Sequence, residues 1–145
     1  MSALSPFHLA IPCRDVAEAT AFYRDVIGCS LGRSSEDWID LNLFGHQLVC
    51  HLDPSLGADG QVALVHSDVD AHAVPIPHFG VVLTMDDWEN LSERLKSYGI
   101  QFMIEPYVRF QGQAGEQATL FFKDPSGNAL EFKAFKDVNR LFATD

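Results

Sequence analysis

The chain has 145 residues, 47% apolar and 21% charged, the size and balance of one ordinary globular domain rather than a disordered segment. Its formal net charge of −10 argues against nucleic acid or an anionic membrane surface as a partner, because either would repel it. No apolar stretch approaches the roughly 20 residues needed to span a bilayer.

In chain order, Met1–Pro6 lacks a basic region followed by an apolar run, so no targeting signal is expected and a cytoplasmic protein is. Phe7–Ile11 reads as a strand. A helix follows, with Asp15 as N-cap and Glu18 completing a capping box. Its apolar stripe is Val16, Ala19, Phe22, Tyr23 and Val26, and Gly28 is its stop. Strands are predicted over 31–34, 38–43 and 46–52. Residues 53–77 are rich in proline and glycine, long for a structureless connection, and suggest a short element or a lid. His78–Thr84 reads as a strand again. A second capping box, Asp86 with Glu89, opens a helix with Trp88, Leu91, Leu95 and Tyr98 inward, ended by Gly99. Strands over 101–105, 118–123 and 128–135 complete the pattern, the last two joined by the turn Asp124-Pro125-Ser126-Gly127-Asn128.

The chain therefore repeats itself, with His8 and His78 at matching places 70 residues apart. Each copy is βαβββ. One domain, 1–145, is expected from two modules, 5–53 and 77–136, with a linker 54–76 and a tail 137–145. The fold class is α+β, the modules forming a curved eight-stranded mixed sheet around a central cavity, helices outside. The cysteines, Cys13, Cys29 and Cys50, lack C-x-x-C spacing and read as small buried residues, which suits a reducing compartment.

Strand alternation places Phe7, Leu9 and Ile11 on one face, and His8, Ala10 and Pro12 on the other. On the later strand, His78, Gly80 and Val82 share a face. Glu131 and Lys133 alternate with the apolar Leu130, Phe132 and Ala134. Two imidazoles and a carboxylate suit a first-row divalent ion with open positions left for other ligands. A strand histidine is as readily a packed or surface residue, however, and a strand glutamate usually faces solvent.

The segments FHLAIPCRDVAEATAFYRDVIG, PHFGVVLTMDDWENLSERLKSYGI and FFKDPSGNALEFKAF resemble the glyoxalase, bleomycin-resistance and extradiol-dioxygenase (vicinal oxygen chelate) superfamily over nearly the whole chain. In DPSGNALEF the family's metal glutamate falls on Glu131, and its two strand histidines fall on His8 and His78. The resemblance implies one divalent metal on these residues. Aligning the repeats through Gly45 and Gly127 puts Val49 where glyoxalase I-like members carry a fourth ligand. Valine cannot ligate, so the open two-histidine, one-carboxylate set resembles extradiol dioxygenases, in which iron(II) chelates a catechol-like substrate and holds dioxygen. Iron(II) is the expected ion, with manganese, zinc or nickel as substitutes. A homodimer is implied.

His51 and Gln47 share the face of Val49. His51 is a candidate acid–base group, or else a surface histidine. His46 points the other way and reads as structural, and His66 and His72 as solvated loop residues. Pro106–Glu116 is predicted as a loop over the cavity, where Tyr107 would bond a metal-bound oxygen and Arg109 a substrate carboxylate. Gln47, Trp38 and Phe121 are further candidates for substrate contact. The competing readings are a lyase or isomerase using the metal as a Lewis acid, and a metal-free binder of small molecules such as drugs.

Overall fold

The computed structural model describes residues 4–144. Part of Met1–Pro6, read for a targeting signal, and the last residue of the tail lie outside them. The chain divides into two compact units, one of Met1–Ala63 with Asp124–Asn128, the other of Leu64–Lys123 with Ala129–Asp145. Among the described residues no helix is long and apolar enough to cross a membrane.

The first unit holds β1 (His8–Cys13), α1 (Val16–Ala21), β2 (Ser30–Ser34), β3 (Trp38–Leu43) and β4 (His46–Leu52). Its sheet runs β1-β4-β3-β2, with β1 parallel to β4 and β3 antiparallel to β4 and β2. The Asp15 carboxylate accepts the Glu18 amide at 2.7 Å, which starts α1 at the predicted place. The helix does not continue in α form to Gly28: Phe22–Ile27 is a π-helical turn, closed by Gly28 at φ +96°. Its wider period places Phe22 and Ile27 on one buried face, and leaves Val26, expected inward, only half-buried. Phe7 is 66% exposed instead of packing with Ile11. It precedes β1, at the end of the strand far from the connection to α1, so the helix does not cover it.

The turn Asp124–Asn128 belongs to this unit and anchors it. The buried Asp124 carboxylate accepts Tyr23 Oη at 2.7 Å, Asn128 Nδ2 at 2.8 Å, and the backbone N–H groups of Ser126 and Asn128 at 3.0 and 2.9 Å. Asn128 Nδ2 also donates to the Pro12 carbonyl, and the Arg14 amide donates to Ser126 Oγ.

Cys13, Cys29 and Cys50 are all buried and free in this unit. Burial pushes the Cys13 thiol up to about 11, the Cys29 thiol up to about 12, and the Cys50 thiol higher still. Because only the thiolate reacts, the native protein should be inert to a disulfide reagent at pH 8 on the minute timescale. All three thiols should titrate after denaturation. Rapid stoichiometric labelling of the native chain would contradict this burial.

The second unit opens with a hairpin, β5 (Val65–Val69) and β6 (His72–Ile76), in the stretch expected as a linker with a short element or a lid. His66 and His72 are thus strand residues, not loop residues as expected, although both are exposed. Next come β7 (His78–Phe79), β8 (Val82–Leu83), α2 (Met85–Ser97), β9 (Phe102–Arg109), β10 (Gln117–Lys123) and β11 (Ala129–Phe135). The sheet order is β7-β11-β10-β9, with β8 also pairing β11. The strand predicted over 78–84 is therefore split around Gly80.

Helix α2 is capped by Thr84, whose hydroxyl accepts the Asp87 amide at 3.1 Å, and not by Asp86, which lies inside the first turn. Pairing of β8 with β11 ends at Leu83, so Thr84 is the first residue free to take the cap. Trp88, Leu91 and Leu95 are buried, and Trp88 Nε1 donates to the Phe132 carbonyl at 3.0 Å. Tyr98, expected inward, is the C-cap and 52% exposed, since the helix ends one residue before it. The mixed α+β fold is as expected. Its sheets are not closed: the strands bond as one four-stranded sheet, one five-stranded sheet and the hairpin.

Candidate metal centre

Strand β11 separates two environments. Leu130, Phe132 and Ala134 are fully buried on the α2 side, so Glu131 and Lys133 are turned to the other face. Glu131 lies opposite Phe121, and Lys133 opposite Thr119, on antiparallel β10. On the other side β7 runs parallel to β11, which brings His78 beside it.

The His78 Nδ1 atom lies 2.7 Å from the Pro75 carbonyl. A carbonyl only accepts, so Nδ1 carries the hydrogen and Nε2 of the neutral ring presents a lone pair. That lone pair faces Glu131 Oε1 at 3.2 Å. Two acceptors at this distance need a cation between or beside them, either a proton or a metal ion. The other carboxylate oxygen, Oε2, accepts Thr119 Oγ1 at 2.5 Å. The Phe121 ring meets the imidazole edge-on at 5.0 Å between centroids. Both donor groups are therefore held in place by outer hydrogen bonds, as metal ligands are.

Gly80 fixes how closely β11 approaches. A Cβ there would sit 1.5 Å from the Glu131 carbonyl oxygen. Gly80→Ala should therefore push β11 away at the carboxylate, costing about 2–3 kcal/mol of stability as overpacking does. Thermal unfolding measures this, and a wild-type midpoint would show that the strand yields freely.

In the first unit, exposed His8 is paired in register with Gln47, and its Nδ1 lies 2.8 Å from Gln47 Oε1. The amide oxygen only accepts, so a neutral His8 ring also carries its lone pair on Nε2. Gln47, expected among the substrate contacts, thus orients an imidazole. The Val49 side chain is buried. His51 is exposed on β4, opposite half-buried Trp38, whose ring carries the Arg33 guanidinium at 5.6 Å. His46 Nδ1 accepts the Phe7 amide at 2.9 Å. Among the described residues no group of three His, Cys, Asp or Glu side chains is gathered in metal-holding geometry.

A cavity of about 250 Å³ opens within the second unit at His78 and Glu131. Phe121, Val74 and Ile104 form an apolar cluster there with Tyr107 against it, and Arg109 and Lys133 stand on the wall. Tyr107 and Arg109 are not on a loop, as expected, but on β9. A register shift around Pro106 lets the strand continue past the proline to pair Tyr107 with Thr119 and Arg109 with Gln117. Arg109 Nη1 donates to Asp70 Oδ2 of the hairpin turn at 2.8 Å and its guanidinium lies over Phe110. Thr119 escaped the sequence reading, although its alternation with Phe121 puts it on the Glu131 face. The Pro75 carbonyl left no signal at all.

The model of the Glyoxalase/Bleomycin resistance protein/Dioxygenase superfamily matches residues 5–132. The chain belongs to this superfamily. A superfamily structure from Alicyclobacillus acidocaldarius, described as a glyoxalase/bleomycin resistance protein/dioxygenase, is 37% identical, with 95% of this chain and 96% of that one covered at a TM-score of 0.72. More distant likenesses show the shared superfamily fold alone. The fosfomycin resistance protein FosX of Listeria monocytogenes is 19% identical over 92% and 93% of the two chains, TM-score 0.59. Lactoylglutathione lyase of Agrobacterium tumefaciens is 17% identical over 99% of each, TM-score 0.63. A comparison with curated proteins gives no match. Members of the superfamily typically bind divalent metals and take small molecules as substrates.

Proposed function

We propose that this protein is a metal-dependent enzyme resembling the extradiol dioxygenases, acting on a small catechol-like substrate through its vicinal oxygens. The observation that carries the reading is the 3.2 Å approach of His78 Nε2 to Glu131 Oε1 beside a cavity. With His8, from the same chain or from a second copy, they supply the two-imidazole, one-carboxylate set that suits iron(II), with manganese, zinc or nickel as substitutes. When bound, iron(II) supplies a chelating centre for two substrate oxygens and the redox chemistry of dioxygen.

The chain's own residues do the rest. The Pro75 carbonyl and Gln47 hold the two rings in the tautomer that exposes Nε2, and Thr119 holds the carboxylate. Phe121 offers a flat apolar wall, the Tyr107 hydroxyl a hydrogen bond to a substrate oxygen, and Arg109 a partner for an anionic substituent. His51 is the proposed acid–base group, and Trp38 a further contact. The buried Val49 side chain speaks against a four-ligand glyoxalase I site. A homodimer in a reducing cytoplasm is the proposed working form, in keeping with the free cysteines.

Oxygen uptake by anaerobically prepared, iron-loaded protein on a panel of catechols tests the reading. Uptake with ring opening supports it. A loaded protein that consumes no oxygen but converts or isomerises such compounds would replace it with a Lewis-acid lyase or isomerase. A protein that binds them without taking up metal would be a small-molecule binder.

A further inference from the structure

Two residues beyond Glu131, and so on the same face of β11, Lys133 lines the same cavity. Its partner across the ladder, Thr119, gives its hydroxyl hydrogen to Glu131. Of the cavity's two carboxylates, Asp70 is ion-paired with Arg109, while Glu131 faces His78 Nε2 and accepts the Thr119 hydroxyl; no described carboxylate is ion-paired with the Lys133 ammonium. Arg109 gives Asp70 a single bond, through Nη1, so other donors of its fork remain. In a chain of net charge −10, this wall therefore keeps an ammonium without an ion-pair partner, and a second cation's donors, in the same cavity. Around it lie Phe121, Val74 and Ile104, which favour a flat apolar body.

We infer that Lys133 joins Arg109 in recognising an anion in this cavity, and that the compound the cavity takes is a small aromatic carboxylate. Only the chelation of vicinal oxygens rests on the metal proposal; the lysine's contact with the carboxylate does not. The ammonium binds as a point charge with three donors, and a charge-assisted hydrogen bond of this kind is strong where water is largely excluded.

Calorimetric titration tests this with three probes, benzoate, 3,4-dihydroxybenzoate and catechol, on zinc-treated parent, Lys133→Met and Lys133→Arg proteins. The two carboxylates should bind the parent and lose tenfold or more in affinity in Lys133→Met. Lys133→Arg should stay within about threefold of the parent, and catechol, which lacks the carboxylate, should bind all three proteins alike. Carboxylate binding unchanged in Lys133→Met overturns the inference. So does an equal loss for catechol, which would mean that the lysine only shapes the wall, and so does the absence of benzoate binding to the parent. Zinc content of the same samples reads the metal proposal separately. A parent that takes up no zinc sinks that proposal, while the benzoate titration still decides the role of Lys133.

Discussion

Glu131→Ala should leave the protein folded and without its metal. Anaerobically purified parent should carry about one iron per chain, and the variant should carry almost none. Glu131 supplies the only anionic donor of the proposed set, and it neutralises half the charge of a divalent ion. Its side chain is 12% exposed but lines the cavity, so truncation enlarges a space that already opens outward and leaves no sealed void. His78→Ala and His8→Ala should lose the metal as completely, since two donors from side chains do not hold a labile first-row ion through purification. The outer hydrogen bonds predict a graded companion result. Thr119→Val removes the donor to Oε2 but keeps the shape, and should weaken metal affinity about tenfold to a hundredfold without abolishing it. Metal content by atomic emission, with circular dichroism to confirm folding, settles these outcomes. Full occupancy in Glu131→Ala would rule out this ligand set.

Asp124→Ala should be the most destabilising single change in the first unit, by about 3–5 kcal/mol. Its carboxylate accepts four hydrogen bonds, and the substitution strands two buried amides, a tyrosine hydroxyl and an asparagine side chain at once. Tyr23→Phe removes only one of these bonds and should cost about 1–1.5 kcal/mol. Burial holds the Asp124 carboxyl above the ordinary carboxylate range, with the hydrogen bonds only partly opposing it. The native state thus binds this proton more tightly than the unfolded chain. Its contribution is fully present below the ordinary carboxylate value and declines as pH rises through the raised one. The stability gap between parent and Asp124→Ala, from urea unfolding, should accordingly narrow on going from acid toward neutral pH. A gap that widens would mean that the four donors outweigh burial.

What could be read from the sequence was local or periodic. Asp15 caps α1 because the side chain and the amide it satisfies are three residues apart. The alternation about Glu131 holds because Leu130 and Phe132 have a helix to pack beneath. The failures share a different cause. Thr84 and Asp86 are both good caps, and only the end of β8, a tertiary event, chooses between them. The hairpin turn uses Asp70 and Ala71 at φ +48° and +65°, left-handed residues without the Asn-Gly or Asp-Gly pair that normally announces such a turn. Pro75 in β6 and Pro106 in β9 read as breaks, yet a two-stranded ribbon and a register shift absorb them. The orienting groups were hidden for the same reason: Gln47 meets His8 through register, and Pro75 acts through its backbone.

The anchoring of Tyr23 by Asp124 also bears on how the chain is made. The first unit is assembled from two stretches separated by the whole of β5 to β10. During synthesis, the tyrosine and the Arg14 amide emerge more than a hundred residues before their partners. The N-terminal half leaving the ribosome thus has a sheet but no acceptor for a hydroxyl that must be buried, and would hold it loosely. Consolidation waits for the Asp-Pro-Ser-Gly-Asn turn, so a ribosome-stalled chain should be protease-sensitive throughout its first sixty or so residues until Asn128 has cleared the ribosome, and resistant after that.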